Sequence, residues 1–231
     1  MLHKIKVIGF DADDTLWVNE PYFRDAEFKL AELLKPFAPD VDIIAELYTM
    51  EMKNLSLYGY GAKAFTLSLI ETAVKLSGPK VNTTIINEII QMGQNLMNIS
   101  IELLDHVDEV LPKLKSKYKL IVATKGDLLD QERKLSKSGL LPYFHHIEIM
   151  SDKKESDYQR LIENLNILPE EFLMVGNSLK SDILPVLAIG GVGVHIPFHT
   201  TWQHEIVTDI PTDHYYEIES IHQLIDIFDN L

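Results

Sequence analysis

Cysteine is absent from the 231 residues. That excludes disulfides, zinc–thiolate centres and thiol nucleophiles, and it leaves the redox compartment unreadable. Positive charge is scarce: 21 Lys and Arg stand against 35 Asp and Glu, for a formal charge of −14. Such a field repels nucleic-acid phosphates and anionic lipid, so the expected partners include neither a nucleic acid polymer nor a membrane. Long apolar runs are missing too, and none approaches the ~18 residues of a membrane span. The opening Met1-Leu2-His3-Lys4-Ile5-Lys6 leads into too few apolar residues before Asp11 to make a secretory h-region, so a cytoplasmic location is the expectation. Internal repeats and low-complexity tracts are absent as well. What remains is ordinary for a soluble globular protein, 46% hydrophobic and 24% charged, and long enough for one large domain or a domain with an insertion.

The feature that stands out is Lys6-Val7-Ile8-Gly9-Phe10-Asp11-Ala12-Asp13-Asp14-Thr15-Leu16. A β-favouring apolar run stops at crowded acids, which predicts a short buried strand delivering Asp11 and Asp13 to its carboxyl end. Open parallel α/β sheets bind their ligands at that edge. Crowded carboxylates repel one another, so the cluster calls for a cation or a shared proton.

From 17 to 102 the periodicity is helical. Ala26, Leu30, Leu33, Leu34 and Phe37 recur at helical intervals until the Pro36 and Pro39 breaks. A second helix is expected after Asp40, a candidate cap, with Ile43, Ile44, Leu47 and Met50 on one face. A third follows Gly59 and Gly61 through Ala62, Phe65, Leu69, Ala73 and Leu76, and a fourth runs through Ile85, Ile86, Ile89, Ile90 and Leu96. The Met and aromatic residues of this block, among them Tyr48, Met50, Met52, Tyr58, Tyr60, Phe65, Met92 and Met97, are candidates to line a substrate pocket, with bundle core the expected role for most of them.

From 103 onward helix and strand alternate. Strands are predicted at Lys119 to Thr124, His146 to Met150, Phe172 to Gly176 and Val192 to Ile196. Between them lie an amphipathic helix through Leu128, Leu129 and Leu135, a helix through Tyr158, Leu161, Ile162 and Leu165, and one near Ile183 to Ile189; a closing helix spans 220 to 228. Repeated βα units with short turns predict an α/β fold, a Rossmann-like parallel sheet with helices on both faces, interrupted by an inserted all-helical unit. The expected division is 1–16 and 103–231 for the α/β core and 17–102 for the helical insertion. In such a sheet Asp11 with Asp13, Thr124, and Asn177-Ser178 with Asp182 share the carboxyl edge, and Lys153-Lys154 lies just past the third strand. Carboxylates, a hydroxyl, an ammonium and free N–H groups at one edge suit phosphoryl transfer.

Asp11-Ala12-Asp13-Asp14-Thr15-Leu16 resembles the first motif of the haloacid dehalogenase superfamily. Thr124 at the end of its strand resembles the second motif, Lys153 in Ser151-Asp152-Lys153 the third, and Val175 to Asp182 the fourth. The helical block between the first two motifs resembles the superfamily's cap. The resemblance implies a Mg²⁺-dependent phosphatase acting on a small phosphorylated metabolite. Asp11 is then the nucleophile that forms an aspartyl-phosphate, and Asp13 the general acid and base. Thr124 and the N–H groups after Asp11 and Thr124, including that of Lys125, hold the phosphoryl oxygens. Lys153 bridges Asp11 and the phosphate, with Lys154 as the alternative. The implied Mg²⁺ ligands are Asp11, the Asp13 carbonyl and either Asn177 or Asp182. Many relatives carry Asp at the position of Asn177, and a noncatalytic phosphate-binding relative is the reading that Asn177 alone supports. A 2-haloacid dehalogenase needs no acid at Asp13, because halide leaves without a proton; a phosphomutase shares the first step. Asp14 is left with turn hydrogen bonding.

Outside these motifs, His195, His199, His204 and Trp202 form a local cluster, but Pro197 interrupts the helix that a two-histidine zinc motif needs. Loop packing is the expectation there. Gly190-Gly191-Val192-Gly193 precedes a strand and reads as a turn.

Overall fold

In the computed structural model, residues 2–207 and 215–229 are described. They divide into two compact units: residues 2–20, 101–125, 131–207 and 215–229, and residues 21–100 with 126–130.

The first unit is built on a six-stranded, wholly parallel sheet. Its strands are β1 (Val7–Phe10), β2 (Lys119–Lys125), β3 (His146–Met150), β4 (Phe172–Gly176), β5 (Val192–His195) and β6 (Tyr215–Glu217), in the order β3-β2-β1-β4-β5-β6. β1 lies in the middle, with Phe10 beside Val122 of β2 and Val175 of β4. Both faces are apolar, which is why the strands read as unbroken hydrophobic runs. On one face Ile8, Phe10, Leu120, Val122, Leu173 and Val175 pack with Val107, Val110, Leu111 and Leu114 of α5 (Val107–Lys115), Leu135 of α6 (Leu128–Ser138) and Leu224 and Phe228 of α9 (Gln223–Asp229). On the other, Val7, Ile121, Ala123, Phe172 and Met174 pack with Tyr158, Leu161 and Ile162 of α7 (Glu155–Leu165) and Val186 of α8 (Leu184–Ala188). Gly9 faces this second layer, where a Cβ would lie 2.8 Å from the Phe172 ring; glycine lets that ring cross the central strand.

The second unit contains α1 (Glu20–Leu34) from Pro21 onward, α2 (Ile43–Tyr58), α3 (Ala62–Ser77) and α4 (Thr83–Asn98). Leu30, Leu34, Ile43, Leu47, Phe65, Leu69, Ala73, Ile85, Ile89 and Leu96 make its core. The cap of α2 is Asp42, whose carboxylate accepts the Ala45 N–H at 3.1 Å; Asp40, the expected cap, falls outside the helix start. Asn82 caps α4 in the same way.

The boundaries depart from those expected. Trp17 bridges to both Asp13 and Leu103, and the Val18 N–H donates to the Glu102 carbonyl at 2.9 Å, so 17–20 and 101–102 stay with the sheet. Residues 126–130 group with the helical unit, where Lys63 pairs with Asp127 at 2.8 Å. The amphipathic face of α6 also differs from expectation: Leu128 and Leu129 are exposed, and Gln131, Lys134 and Leu135 are buried. β6 was not visible in the sequence pattern. Among the described residues, no helix is long and apolar enough to cross a membrane.

Candidate active site

Every strand that carries a motif ends at the same edge. Where β1 stops, the Asp11 N–H still donates to the Val175 carbonyl at 2.9 Å, and the chain then coils: the Leu16 N–H returns to the Ala12 carbonyl at 2.8 Å. This coil lets Asp11 and Asp13, two residues apart, have different surroundings. Asp14 holds it. Its φ of 60° is one that Asp tolerates better than most side chains, and its buried carboxylate accepts the Asn19 N–H at 2.8 Å and the Glu20 N–H at 3.0 Å. Burial pushes the Asp14 carboxyl up to about 7 against these hydrogen bonds.

Lys153 stands over Asp11. Its ammonium is 2.5 Å from Asp11 Oδ1 and 2.6 Å from Asp182 Oδ1, and all three side chains are almost wholly enclosed. Burial alone would push this ammonium down, but Asp11 and Asp182 outweigh it and hold it well above the usual lysine range. Burial pushes the Asp11 carboxyl up to about 7, opposed by Lys153 and reinforced by Asp182 and Asp13. Lys154, the alternative, points into solvent and pairs with Asp152 at 3.0 Å. Tyr158 fixes this region from below by donating to the Ser181 carbonyl at 3.0 Å.

Asp182 is fully committed. Its second oxygen accepts the Ser178 N–H at 3.0 Å, and Gly176 leaves the room, since a Cβ there would collide with the Asp182 carboxylate. Ser178 caps the wide turn Leu179–Ile183 by accepting the Ser181 N–H at 3.0 Å, which turns the chain so that Asp182 faces back to Lys153.

Asp13 is gripped by donors. Trp17 Nε1 reaches Asp13 Oδ1 at 2.7 Å, Gln131 Nε2 reaches Oδ2 at 2.9 Å, and the Lys134 ammonium lies 2.9 Å from Oδ1 and 3.2 Å from Oδ2. Gln131 also donates to Thr124 Oγ1 at 3.2 Å and the Lys125 carbonyl at 2.7 Å, so one amide joins the acid to the end of β2. Thr124 is buried beside it.

One arm of the Asn177 side-chain amide lies 3.2 Å from Asp11 Oδ2, 3.3 Å from the Asp13 main-chain oxygen and 3.2 Å from Thr15 Oγ1, and hydrogen bonding favours its nitrogen there, donating to these oxygens. The amide oxygen turned there instead would be repelled by them unless a cation lay among them. A carboxylate, a peptide carbonyl and an amide oxygen form a hard donor set that fits Mg²⁺. The residues therefore suit the ion, and Asn177 rather than Asp182 is the side chain beside that oxygen cluster.

Sequence reasoning missed Gln131, Lys134 and Glu205. The Glu205 carboxylate accepts from Lys125 Nζ at 2.6 Å and from the Ser178 and Ser181 hydroxyls, both at 2.5 Å. Burial would raise its carboxyl, but Lys125 and the hydroxyls win and lower it to about 2. The local histidine cluster does not assemble. His195 is enclosed, with Nδ1 3.0 Å from Glu217 and Nε2 3.1 Å from the Asn177 carbonyl oxygen; His199 packs on Phe198, and His204 sits against Trp202 and Lys180.

This geometry can be set beside known proteins. The family model for haloacid dehalogenase-like hydrolases matches residues 5–190. The chain belongs to that family. It is therefore an enzyme of the hydrolase class. Among solved structures, a haloacid dehalogenase-like family hydrolase from Xanthomonas campestris is 35% identical, with a TM-score of 0.88 over 98% of this chain and 91% of that one. The hydrolase YfnB from Bacillus subtilis, a structure bound to magnesium, shares the fold at 20% identity with a TM-score of 0.67, over 97% and 99% of the two chains. The N-acylneuraminate-9-phosphatase of Mus musculus is 22% identical over 97% of this chain and 96% of its own.

Proposed function

We propose that this hydrolase is a phosphatase that cleaves a small phosphomonoester through an aspartyl-phosphate on Asp11. The observation that carries the reading is the pairing of an enclosed Asp11 with the Lys153 ammonium, beside a second carboxylate, Asp13, only two residues away. Asp11 attacks phosphorus, the ester P–O bond breaks, and Asp13 gives its proton to the departing alkoxide. Asp13 then takes a proton from water, the water oxygen attacks the same phosphorus, and inorganic phosphate leaves with Asp11 restored. Lys153 offsets the repulsion between the attacking carboxylate and the phosphate. Without it, two like charges about 4 Å apart cost about 4 kcal/mol at an effective dielectric near 20. Thr124 and the N–H of Lys125 would bind the phosphoryl oxygens.

Asp11, the Asp13 carbonyl and Asn177 would hold Mg²⁺, which supplies further charge neutralisation at the phosphate. Asp13 must release at least one of its donors to carry a proton, because a protonated carboxyl cannot accept at every position. The helical unit serves as the cap that selects the leaving group, and the name of the mouse relative makes a phosphorylated sugar acid the first substrate to try.

Phosphate release from p-nitrophenyl phosphate and from a panel that includes N-acylneuraminate 9-phosphate tests the reading. Turnover is expected with Mg²⁺ and lost with EDTA or in Asp11→Asn. An Asp11→Asn variant with full activity overturns the mechanism, and chloride release from 2-chloropropionate in place of phosphatase activity overturns the reaction class.

A further inference from the structure

We propose that His106, Glu109 and His222 form a transition-metal site, of the kind zinc occupies, that fastens the C-terminal helix α9 to α5. The proposal is independent of the phosphatase reading. One ligand atom from each residue lies within 4.8 Å of the others. The His106 and His222 rings are 5.0 Å apart and inclined at 58°, and His106 Nδ1 is 3.6 Å from the Glu109 carboxylate. A tetrahedral ion with bonds of ~2.0–2.1 Å sets its donors about 3.4 Å apart, so closure asks for rotamer adjustments of roughly an ångström. His106 and Glu109 are both exposed enough to make them.

Two further observations point to a ligand. His222 Nδ1 is buried and has no hydrogen-bond partner, a condition that native structures seldom leave uncorrected. His106, just before α5, has φ of 66°, in the left-handed region, and its side chain makes no capping bond with the helix. The cation would lie near the N-terminus of α5, where the helix dipole opposes it, but Asp108 and Glu109 in the first turn offset that field.

Two imidazoles and a carboxylate are the donors that zinc prefers, whereas the oxygen cluster around Asn177 suits Mg²⁺. The two sites would sort their ions by ligand chemistry. The mechanical consequence follows from the placement of His222 immediately before α9. That helix has seven residues, too few to persist without docking, and it is held by Leu224 and Phe228 against the layer that contains α5. A shared ion would add a bond between the residue that precedes α9 and the start of α5 that the folded chain has and the unfolded chain lacks.

The full-length protein, stripped with EDTA and returned to saturating Mg²⁺, is titrated with Zn²⁺ against a chromophoric chelator. One equivalent is expected to bind with Kd of about 1 µM or below and to raise Tm by about 5 °C at a hundredfold excess over Kd. Co²⁺ in its place should show visible bands of imidazole ligation. His106→Asn, which keeps a residue tolerant of both the left-handed conformation and the cap position, and His222→Gln should each weaken zinc at least tenfold and cut the Tm rise at the same zinc concentration to about half or less, while far-UV circular dichroism is unchanged. Unchanged zinc affinity in both variants, or no binding up to about a hundred times the expected Kd, overturns the proposal.

Discussion

The Lys125 ammonium rests 2.6 Å from Glu205 Oε1, joining the end of β2 to a segment that lies 80 residues further along the chain. The same ammonium also donates to Ser181 Oγ at 2.8 Å, so the end of β2 and the turn after β4 converge on one carboxylate. Glu205→Gln removes the negative charge on which Lys125 and the Ser178 and Ser181 hydroxyls converge and should cost on the order of 2–3 kcal/mol at pH 7. The sign with pH follows from a folded value of about 2 against an ordinary value of 4.5. Glu205 stabilises the folded state fully above pH 4.5 and loses that contribution as pH falls from there toward 2. Urea melts of the two proteins should therefore differ at pH 7 and converge near pH 2; a gap that is constant with pH refutes the role.

Lys153 and Lys154 are adjacent in sequence and opposite in environment. Lys153 is enclosed between Asp11 and Asp182, whereas the Lys154 ammonium is mostly in solvent. Lys153→Met should lower kcat by about 10²–10³-fold, the range seen when one preorganised charge-stabilising donor is removed. Lys154→Met should stay within about twofold, since an exposed ion pair contributes little. Steady-state kinetics on p-nitrophenyl phosphate decide it, and equal losses in the two variants would reverse the assignment.

Asn177 and Asp182 divide along similar lines. Asp182 is occupied by Lys153 and the Ser178 N–H, while Asn177 faces the oxygens of Asp11 and Asp13. Asn177→Asp adds a charged ligand to a hard cation and should reduce the Mg²⁺ concentration for half-maximal activity by roughly tenfold. Asp182→Asn should instead destabilise the fold by about 3 kcal/mol or more, because it strips one partner from a buried ammonium. An Mg²⁺ requirement insensitive to Asn177→Asp would move the ligand elsewhere.

Much of this site is legible in the sequence because parallel strands buried on both faces advertise themselves. Val7 to Phe10, Leu120 to Ala123 and Phe172 to Val175 are unbroken apolar runs, and the polar residues that end them must lie together once the strands are parallel. Asp11, Asp13, Thr124 and Asp182 are found by that logic alone, which also reaches the pair Lys153-Lys154; the choice of Lys153 within that pair comes from the family resemblance. Gln131 and Lys134 are hidden by the opposite effect: α6 looks like a solvated helix with a leucine stripe, yet its polar residues face Asp13 and two of its leucines face water. A spacing of three residues between Gln131 and Lys134, one step from the buried Leu135, is the signal that was available. Glu205 carries no such signal, since only folding brings it to Lys125. β6 is three residues long and half exposed, so it shows neither a run nor an alternation.

The helical unit holds a carboxyl group at odds with its surroundings. Burial pushes Glu51 up to about 8, the neighbouring Glu27 adds to the shift, and Arg24, which pairs with Glu27 at 2.8 Å, opposes it. A folded value above the unfolded one means that the native chain keeps a proton that the unfolded chain releases. Stability is therefore untouched below about pH 4.5, falls as pH rises from there, and levels off above about 8. Glu51→Gln, neutral at every pH, should match the parent near pH 4.5 and exceed it by on the order of 2 kcal/mol at pH 8, a figure set below the full linkage value because the side chain is not wholly enclosed. Urea denaturation at the two pH values measures the difference directly. A variant equally stable with the parent at pH 8 would mean that Glu51 reaches water or a cation when the unit breathes, and that its carboxylate is tolerated there after all.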